Sequence, residues 1–238
     1  MDAGVALDGR ALHGTAWGAG PPVYLVHGWG GRSGQLGAFV APLVAAGHRV
    51  VAMDAPAHGA SGPGAHGRRC GSIPEFAAAL RAAVAVHGRP HAVVAHSLGA
   101  AAAAHALREG VRPARLVLLA PVADPQQALT TFAARVGFGP RIRAGVERAT
   151  ERRLGLPWAA FDVPAVARFV AVPPTLVVHD RRDREVGFRE GRAIADAWPG
   201  ARLLATDGLG HRRLLRDDAV VADVVGFVAD GAETRRSA

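Results

Sequence analysis

Ser97 lies in Ala95-His96-Ser97-Leu98-Gly99, between the apolar run Ala92-Val93-Val94-Ala95 and an alanine-rich helical pattern from Leu98 to about Arg108. A strand that turns sharply into a helix at a serine exposes the hydroxyl as a nucleophile. Such a turn needs small residues two positions before and two after, because their side chains nearly collide across it. Ala95 and Gly99 meet that need, and relative to the usual G-x-S-x-G form Ala95 keeps the first position small. By itself the segment also fits a serine that caps a helix N-terminus. Two downstream segments supply partners. Pro174 to His179 is an apolar run followed by Asp180-Arg181-Arg182-Asp183-Arg184-Glu185-Val186, and Ala201 to Thr206 is followed by Asp207-Gly208-Leu209-Gly210-His211. A serine, an acid after one later strand and a histidine after the next have the chain order of a nucleophile, orienting carboxylate and general base suited to attack on an acyl carbonyl.

The elements that must position these residues are legible as an alternation. Val23 to Val26, Arg49 to Met53, Ala92 to Ala95, Leu116 to Ala120, Leu176 to Val178 and Leu203 to Ala205 are short, nearly continuous apolar stretches. Strands of a parallel sheet covered on both faces read this way. Between them lie helical patterns over Gln35 to Ala46, Ile73 to Val86, Leu98 to Arg108, Phe188 to Ala197 and Arg213 to Val228. The alternation predicts an α/β fold with a mostly parallel central sheet and helices on both faces, its ligand at the C-terminal strand ends. Ala6 to Leu12, with Asp8-Gly9 at its centre, predicts a hairpin that supplies antiparallel edge strands. Residues 121–173 are too long for a simple connection and read as a small helical cap inserted into one domain spanning 1–238. Leu129, Phe132, Ala133 and Val136, then Val163, Val166, Ala167 and Val170, would be its inward faces. Its arginines, Arg135, Arg141, Arg143, Arg148, Arg152 and Arg153, are interleaved with Glu147 and Glu151. They predict a solvated helix face in preference to a pocket for acidic substrates.

Residues 22–230 resemble the α/β-hydrolase fold superfamily, in its small, serine-nucleophile, esterase-like branch. The resemblance rests on His27-Gly28-Trp29-Gly30-Gly31 after the first long strand, Asp54-Ala55-Pro56-Ala57-His58-Gly59-Ala60-Ser61 after the next, the turn at Ser97, the acid segment and Gly210-His211. Where the family usually reads D-x-P-G-H-G-x-S, Ala57 replaces a glycine. The resemblance implies a Ser-His-Asp triad with Ser97 as nucleophile and His211 as base. In the family pattern H-G-x-x-D-x-x-V, Asp180 takes the glycine position and Asp183 the acid position, with Asp180 as alternative and Glu185 a distant third. It also implies an oxyanion hole built from the backbone N–H groups of Trp29 and Leu98. Family members with aspartate at the Ser97 position dehalogenate or open epoxides, so a serine here implies acyl chemistry: an ester, thioester or lactone of small to medium size. Carbon–carbon bond hydrolysis, acyl transfer, peptide hydrolysis and perhydrolysis occur in the same branch. A small-molecule receptor that keeps the triad without turnover is the alternative from another class.

Composition bounds the rest. The formal charge is +8 and the isoelectric point near 11.3, yet every basic residue other than histidine is arginine and the arginines are scattered. Aromatic residues are only 5%, too few for a surface that stacks single-stranded nucleic acid. No nucleic-acid or membrane partner is expected, and a cytoplasmic location is, since the chain starts without a charged, then apolar, leader. Cys70, the single cysteine, precludes an internal disulfide. His27, His58 and Asp54 lack H-x-x-x-H or H-E-x-x-H spacing, so neither a metal nor another cofactor is expected, and His27 and His96 are read as orienting or packing residues. Gly28-Trp29-Gly30-Gly31 lacks the Lys-Ser/Thr pair of a phosphate-binding loop.

Overall fold

The computed structural model describes residues 1–68 and 70–233, the last three by backbone only. Seven strands form one sheet: β3 (Gly14–Trp17), β4 (Pro22–Val26), β5 (Arg49–Met53), β6 (Ala92–His96), β7 (Arg115–Leu119), β8 (Thr175–Asp180) and β9 (Arg202–Thr206). Their order across the sheet is β3-β5-β4-β6-β7-β8-β9, and all neighbours are parallel except β3 with β5. From β4 the chain adds β5 on one side and then β6 onward on the other, so the strand order switches between β4 and β6, which makes the crevice at their C-terminal ends the expected ligand position.

Side chains alternate across the sheet. Tyr24, Val51, Val93, Leu116, Leu118 and Val177 pack on one face, beneath α2 (Ile73–His87), α3 (Leu98–Arg108) and α6 (Phe188–Ala197). Leu25, Val50, Val94, Val117, Leu119 and Val178 pack on the other, beneath α1 (Val40–Ala45) and α8 (Asp218–Glu233). Fully burying each Leu or Val contributes about 1.5–3 kcal/mol, so both faces hold the strand ends in place. Among the described residues no helix is long and apolar enough to cross a membrane.

Several expectations change. The hairpin forms, as β1 (Val5–Leu7) and β2 (Arg10–Leu12), with positive φ at Asp8 and Gly9, but it is a separate two-stranded sheet. The antiparallel edge of the main sheet is β3, whose four residues carry too little alternation to announce themselves. Gln35 to Ala46 is a 3-10 helix over Ser33–Phe39 that runs into the short α1. The last helix is broken: α7 (Gly210–Arg213) ends before Asp217, whose carboxylate accepts from Val220 N–H at 3.1 Å and starts α8 afresh.

Between β7 and β8 run α4 (Pro125–Arg135), α5 (Pro140–Leu154) and two 3-10 turns, Trp158–Phe161 and Pro164–Arg168. Val163 and Val166 are buried against the core as their spacing suggests, though the segment Pro164–Arg168 forms a 3-10 turn rather than an α-helix. In α4 only Ala133 of the proposed face is buried, while Phe132 and Val136 stand exposed. Glu190 of α6 accepts from the N–H groups of Ala123 and Asp124, and Val163 N–H donates to Ala123 O, so the two ends of the segment are tied together.

Candidate active site

Ser97 sits between β6 and α3 with φ 55° and ψ −122°, a conformation that costs a non-glycine residue roughly 1–3 kcal/mol. Its neighbours impose it: Ser97 N–H donates to Leu119 O at 2.9 Å, and its carbonyl accepts from Ala100 N–H at 3.0 Å. The side chain makes no capping bond, which removes the helix-cap alternative. Gly99 has to be glycine, since a Cβ there would lie 2.3 Å from His27 O and 2.9 Å from Val26 O. Gly28 is similarly confined, with Ser97 Cβ 2.9 Å from where its own Cβ would be.

The structure brings Ser97, Asp183 and His211 together. His211 Nε2 lies 3.1 Å from Ser97 Oγ, and His211 Nδ1 lies 2.7 Å from Asp183 Oδ2. With Nδ1–H donating to the carboxylate, Nε2 is the acceptor that faces the hydroxyl. The other carboxylate oxygen, Asp183 Oδ1, accepts from the N–H groups of Glu185 and Val186 at 2.8 and 3.0 Å. His179, fully buried, approaches Asp183 Oδ2 at 3.4 Å and donates Nε2–H to Val186 O at 3.0 Å. Burial pushes the Asp183 pKa up, but the hydrogen bonds from His179, His211 and Val186 N–H outweigh it and hold the group far below the usual carboxylate range.

Asp180, the alternative acid, is turned elsewhere. Its carboxylate accepts from Thr206 Oγ1 and Leu209 N–H, both at 2.8 Å, from Arg182 N–H at 2.9 Å and from Gly208 N–H at 3.3 Å. It fastens the loop that carries His211 to the end of β8. Burial opposes its ionisation, and the bonds from Thr206, Gly210, Leu209 and Arg182 overcome that and lower its pKa. Glu185 is exposed and pairs with Arg212 at 3.1 Å.

Histidines orient the surrounding loops. His27 Nε2 accepts from Ala55 N–H at 2.9 Å and its Nδ1–H donates to Gly28 O at 2.8 Å. His58 Nε2 accepts from Gly30 N–H at 3.1 Å and its Nδ1–H donates to Pro56 O at 2.9 Å. All four ring nitrogens are therefore engaged by backbone, and no group of three potential metal ligands occurs among the described residues. Asp54 accepts from Ser33 and Ala60 N–H groups at 2.7 and 2.9 Å and pins the same loops. His96 donates Nε2–H to the carbonyl of His211 at 3.1 Å, and its ring centroid is 4.7 Å from that of His211. Burial and the neighbouring His211 push its pKa down to about 3, so it is neutral beside the His211 ring. The roles of His58, His179 and Asp180 escaped the sequence reading; the only available signal was their place inside the family motifs.

Ser97 and His211 open into a cavity of about 550 Å³, walled also by Gly28, Trp29, Phe132 and Leu215. Trp29 is 59% exposed, so its indole is not a core residue. The N–H groups of Trp29 and Leu98 donate to no acceptor among the described residues. The bonded chain from carboxylate through imidazole to hydroxyl is suited to proton transfer from the serine.

No curated protein matches the chain in sequence. Among solved structures, the esterase EaEST from Exiguobacterium antarcticum superposes with a TM-score of 0.70 at 16% identity, over 96% of this chain and 99% of that one. A bromoperoxidase from Bacillus anthracis gives 0.71 at 18% identity, over 97% and 100%. Est816, described as an N-acyl homoserine lactone degrading enzyme, gives 0.68 at 21% identity, over 94% and 98%. These likenesses establish the fold. A family model described as TAP-like protein matches residues 157–237. Another, Hydrolase_4, described as serine aminopeptidase, S33, matches residues 21–152, more than half of the chain. The chain belongs to this serine aminopeptidase S33 family of α/β hydrolases.

Proposed function

We propose that this protein is a serine hydrolase that cleaves an ester or related acyl bond of a small to medium substrate, with Ser97, His211 and Asp183 as its triad. The observation that carries this reading is the hydrogen-bonded chain Asp183 Oδ2–His211–Ser97 Oγ at 2.7 and 3.1 Å, mounted at the mouth of a cavity. Ser97 Oγ attacks the acyl carbonyl as His211 Nε2 takes the hydroxyl proton. The carbonyl π pair moves onto oxygen, where the N–H groups of Trp29 and Leu98 receive it; such a donor contributes about 3 kcal/mol. Collapse of the tetrahedral species breaks the bond to the leaving group, which takes the proton from His211, and leaves an acyl-Ser97. Water, deprotonated by His211, then releases the acid and restores the serine. Asp183 remains ionised throughout, in keeping with its depressed pKa.

Peptide hydrolysis from a free N-terminus, the activity in the family model's description, calls for an uncompensated acid at the mouth to receive the substrate ammonium. Glu185, the acidic residue on the cavity wall, is already paired with Arg212. Ester cleavage is therefore preferred. The test is hydrolysis of p-nitrophenyl esters from acetate to octanoate, with leucine p-nitroanilide alongside, by the wild type and Ser97→Ala. A fluorophosphonate probe is read by intact mass on both. Ester turnover and a single adduct, lost together in Ser97→Ala with a fall of about 10⁴-fold or more, are expected. Tight binding of small esters without turnover or adduct would instead favour the receptor reading.

A further inference from the structure

Four arginines stand around the mouth of the cavity: Arg135 at the end of α4, Arg212 and Arg213 directly after His211, and Arg216 beyond α7. Of these only Arg212 pairs with a carboxylate among the described residues, Glu185 at 3.1 Å. Arg213 spends its guanidinium on the carbonyls of Leu209 and Gly208, and Arg135 donates to Arg184 O. Bonds to neutral carbonyls fix the direction of a guanidinium and leave its charge uncompensated. Arg141, Arg148, Arg152 and Arg153 are exposed on α5 and do not line the cavity, whereas Arg135, which the sequence grouped with them on a solvated face, stands at the mouth with Arg213 and Arg216.

From this placement we infer that the cavity selects acyl substrates carrying a negatively charged group, a carboxylate or a phosphate, held by Arg135, Arg213 and Arg216 while the neutral acyl bond lies at Ser97. This rests on the hydrolase reading for the second half of the statement only. A guanidinium offers a planar fork of donors that matches either oxyanion, and three uncompensated positive charges over a low-dielectric cleft concentrate anions there. Trp29 and Phe132, both largely exposed on the same cavity, give the carbon chain between the two ends an apolar surface.

The test separates binding from turnover. Ser97→Ala protein is titrated calorimetrically, at low salt, with monomethyl adipate, dimethyl adipate and the methyl ester of 4-phosphonooxybutanoic acid. Monomethyl adipate or the phosphate ester is expected to bind at least about threefold more tightly than the neutral diester, with the larger gain identifying the anion. That gain is expected to vanish near 1 M salt, where screening acts within about 3 Å, and to shrink in an Arg135→Gln/Arg216→Gln double variant whose melt confirms its fold. Equal binding of charged and neutral esters, or a gain untouched by both salt and the double variant, overturns the inference. Wild-type kcat/KM on the same three esters reads the catalytic half. If no ester turns over and the fluorophosphonate leaves no adduct, the hydrolase reading fails while the calorimetry still decides whether the mouth binds anions.

Discussion

Helices α3 and α5 live in opposite environments. Of the eleven residues of α3, nine are buried, six of them alanines. None of the fifteen residues of α5 is buried; it carries the Arg143–Glu147 pair, and the indole of Trp158 donates to Glu147 O at 3.3 Å. Alanine brings α3 close to the sheet, so the turn at Ser97 is clamped between two packed elements. Arginine keeps α5 in water. Packing against the sheet and the geometry of the site are therefore one problem at α3 and unrelated problems at α5.

Substitutions can sharpen that contrast, and the largest effect belongs at the start of α3. Gly99→Val puts a branched side chain onto the His27 and Val26 carbonyls. It is expected to cost on the order of 3 kcal/mol in urea unfolding and to abolish any ester turnover. Next comes acid lability confined to the sheet and its helices. Burial lowers the pKa of His27, His48, His96 and His105. Below about pH 6.5 the unfolded chain takes up protons that the folded histidines refuse, so stability is lost as pH falls, by up to about 1.4 kcal/mol per pH unit for each histidine. His96→Gln is expected to remove one such share of the slope between about pH 6 and 3, measured by denaturant unfolding across pH; an unchanged slope contradicts the assignment.

A smaller effect lies at the alkaline end. Tyr24, the single tyrosine, donates to Gly88 O at 2.6 Å, and burial pushes its pKa up to about 12 against a lesser pull from Arg49. The folded group keeps its proton while the unfolded one releases it from about pH 10. Stability is therefore whole below pH 10 and declines by roughly 2–3 kcal/mol as pH climbs to 12. Absorbance of tyrosinate reads this one group directly, and a midpoint near 10 in the folded protein would contradict the burial. The smallest effect is expected on α5, where Arg148→Ala with Arg152→Ala should shift unfolding by no more than about 0.5 kcal/mol.

The parallel strands, and the convergence of Ser97, Asp183 and His211, were legible because each depends on local signals: short apolar runs, small residues flanking Ser97, and an aspartate and a histidine at strand ends. Asp183 over Asp180 was open to sequence pattern alone; distances separate them, because one carboxylate meets His211 and the other meets Thr206. β3 was invisible because its four residues owe their strand to pairing with β5, a long-range fact. The exposed face of α4 was misjudged for the converse reason, since apolar spacing reports an amphipathic helix but not whether anything covers it, whereas the solvated face expected for the arginines of α5 is the one observed. Ala57 shows a third limit. It stands where the family pattern has glycine and takes a left-handed conformation, φ 62°, which an alanine in the sequence does not signal.

Asp180 has one further consequence. Its carboxylate reaches toward both Asp183 and His211, through Arg182 N–H on the way to the first and through Gly208 and Leu209 N–H on the way to the second. Asp183 and His211 are thus mounted on one bracket, while Ser97 is mounted on another, across the sheet on β6. The two mounts are joined by His96, next to Ser97 on β6, whose Nε2–H donates to the His211 carbonyl, so the gap between imidazole and hydroxyl is held from both sides.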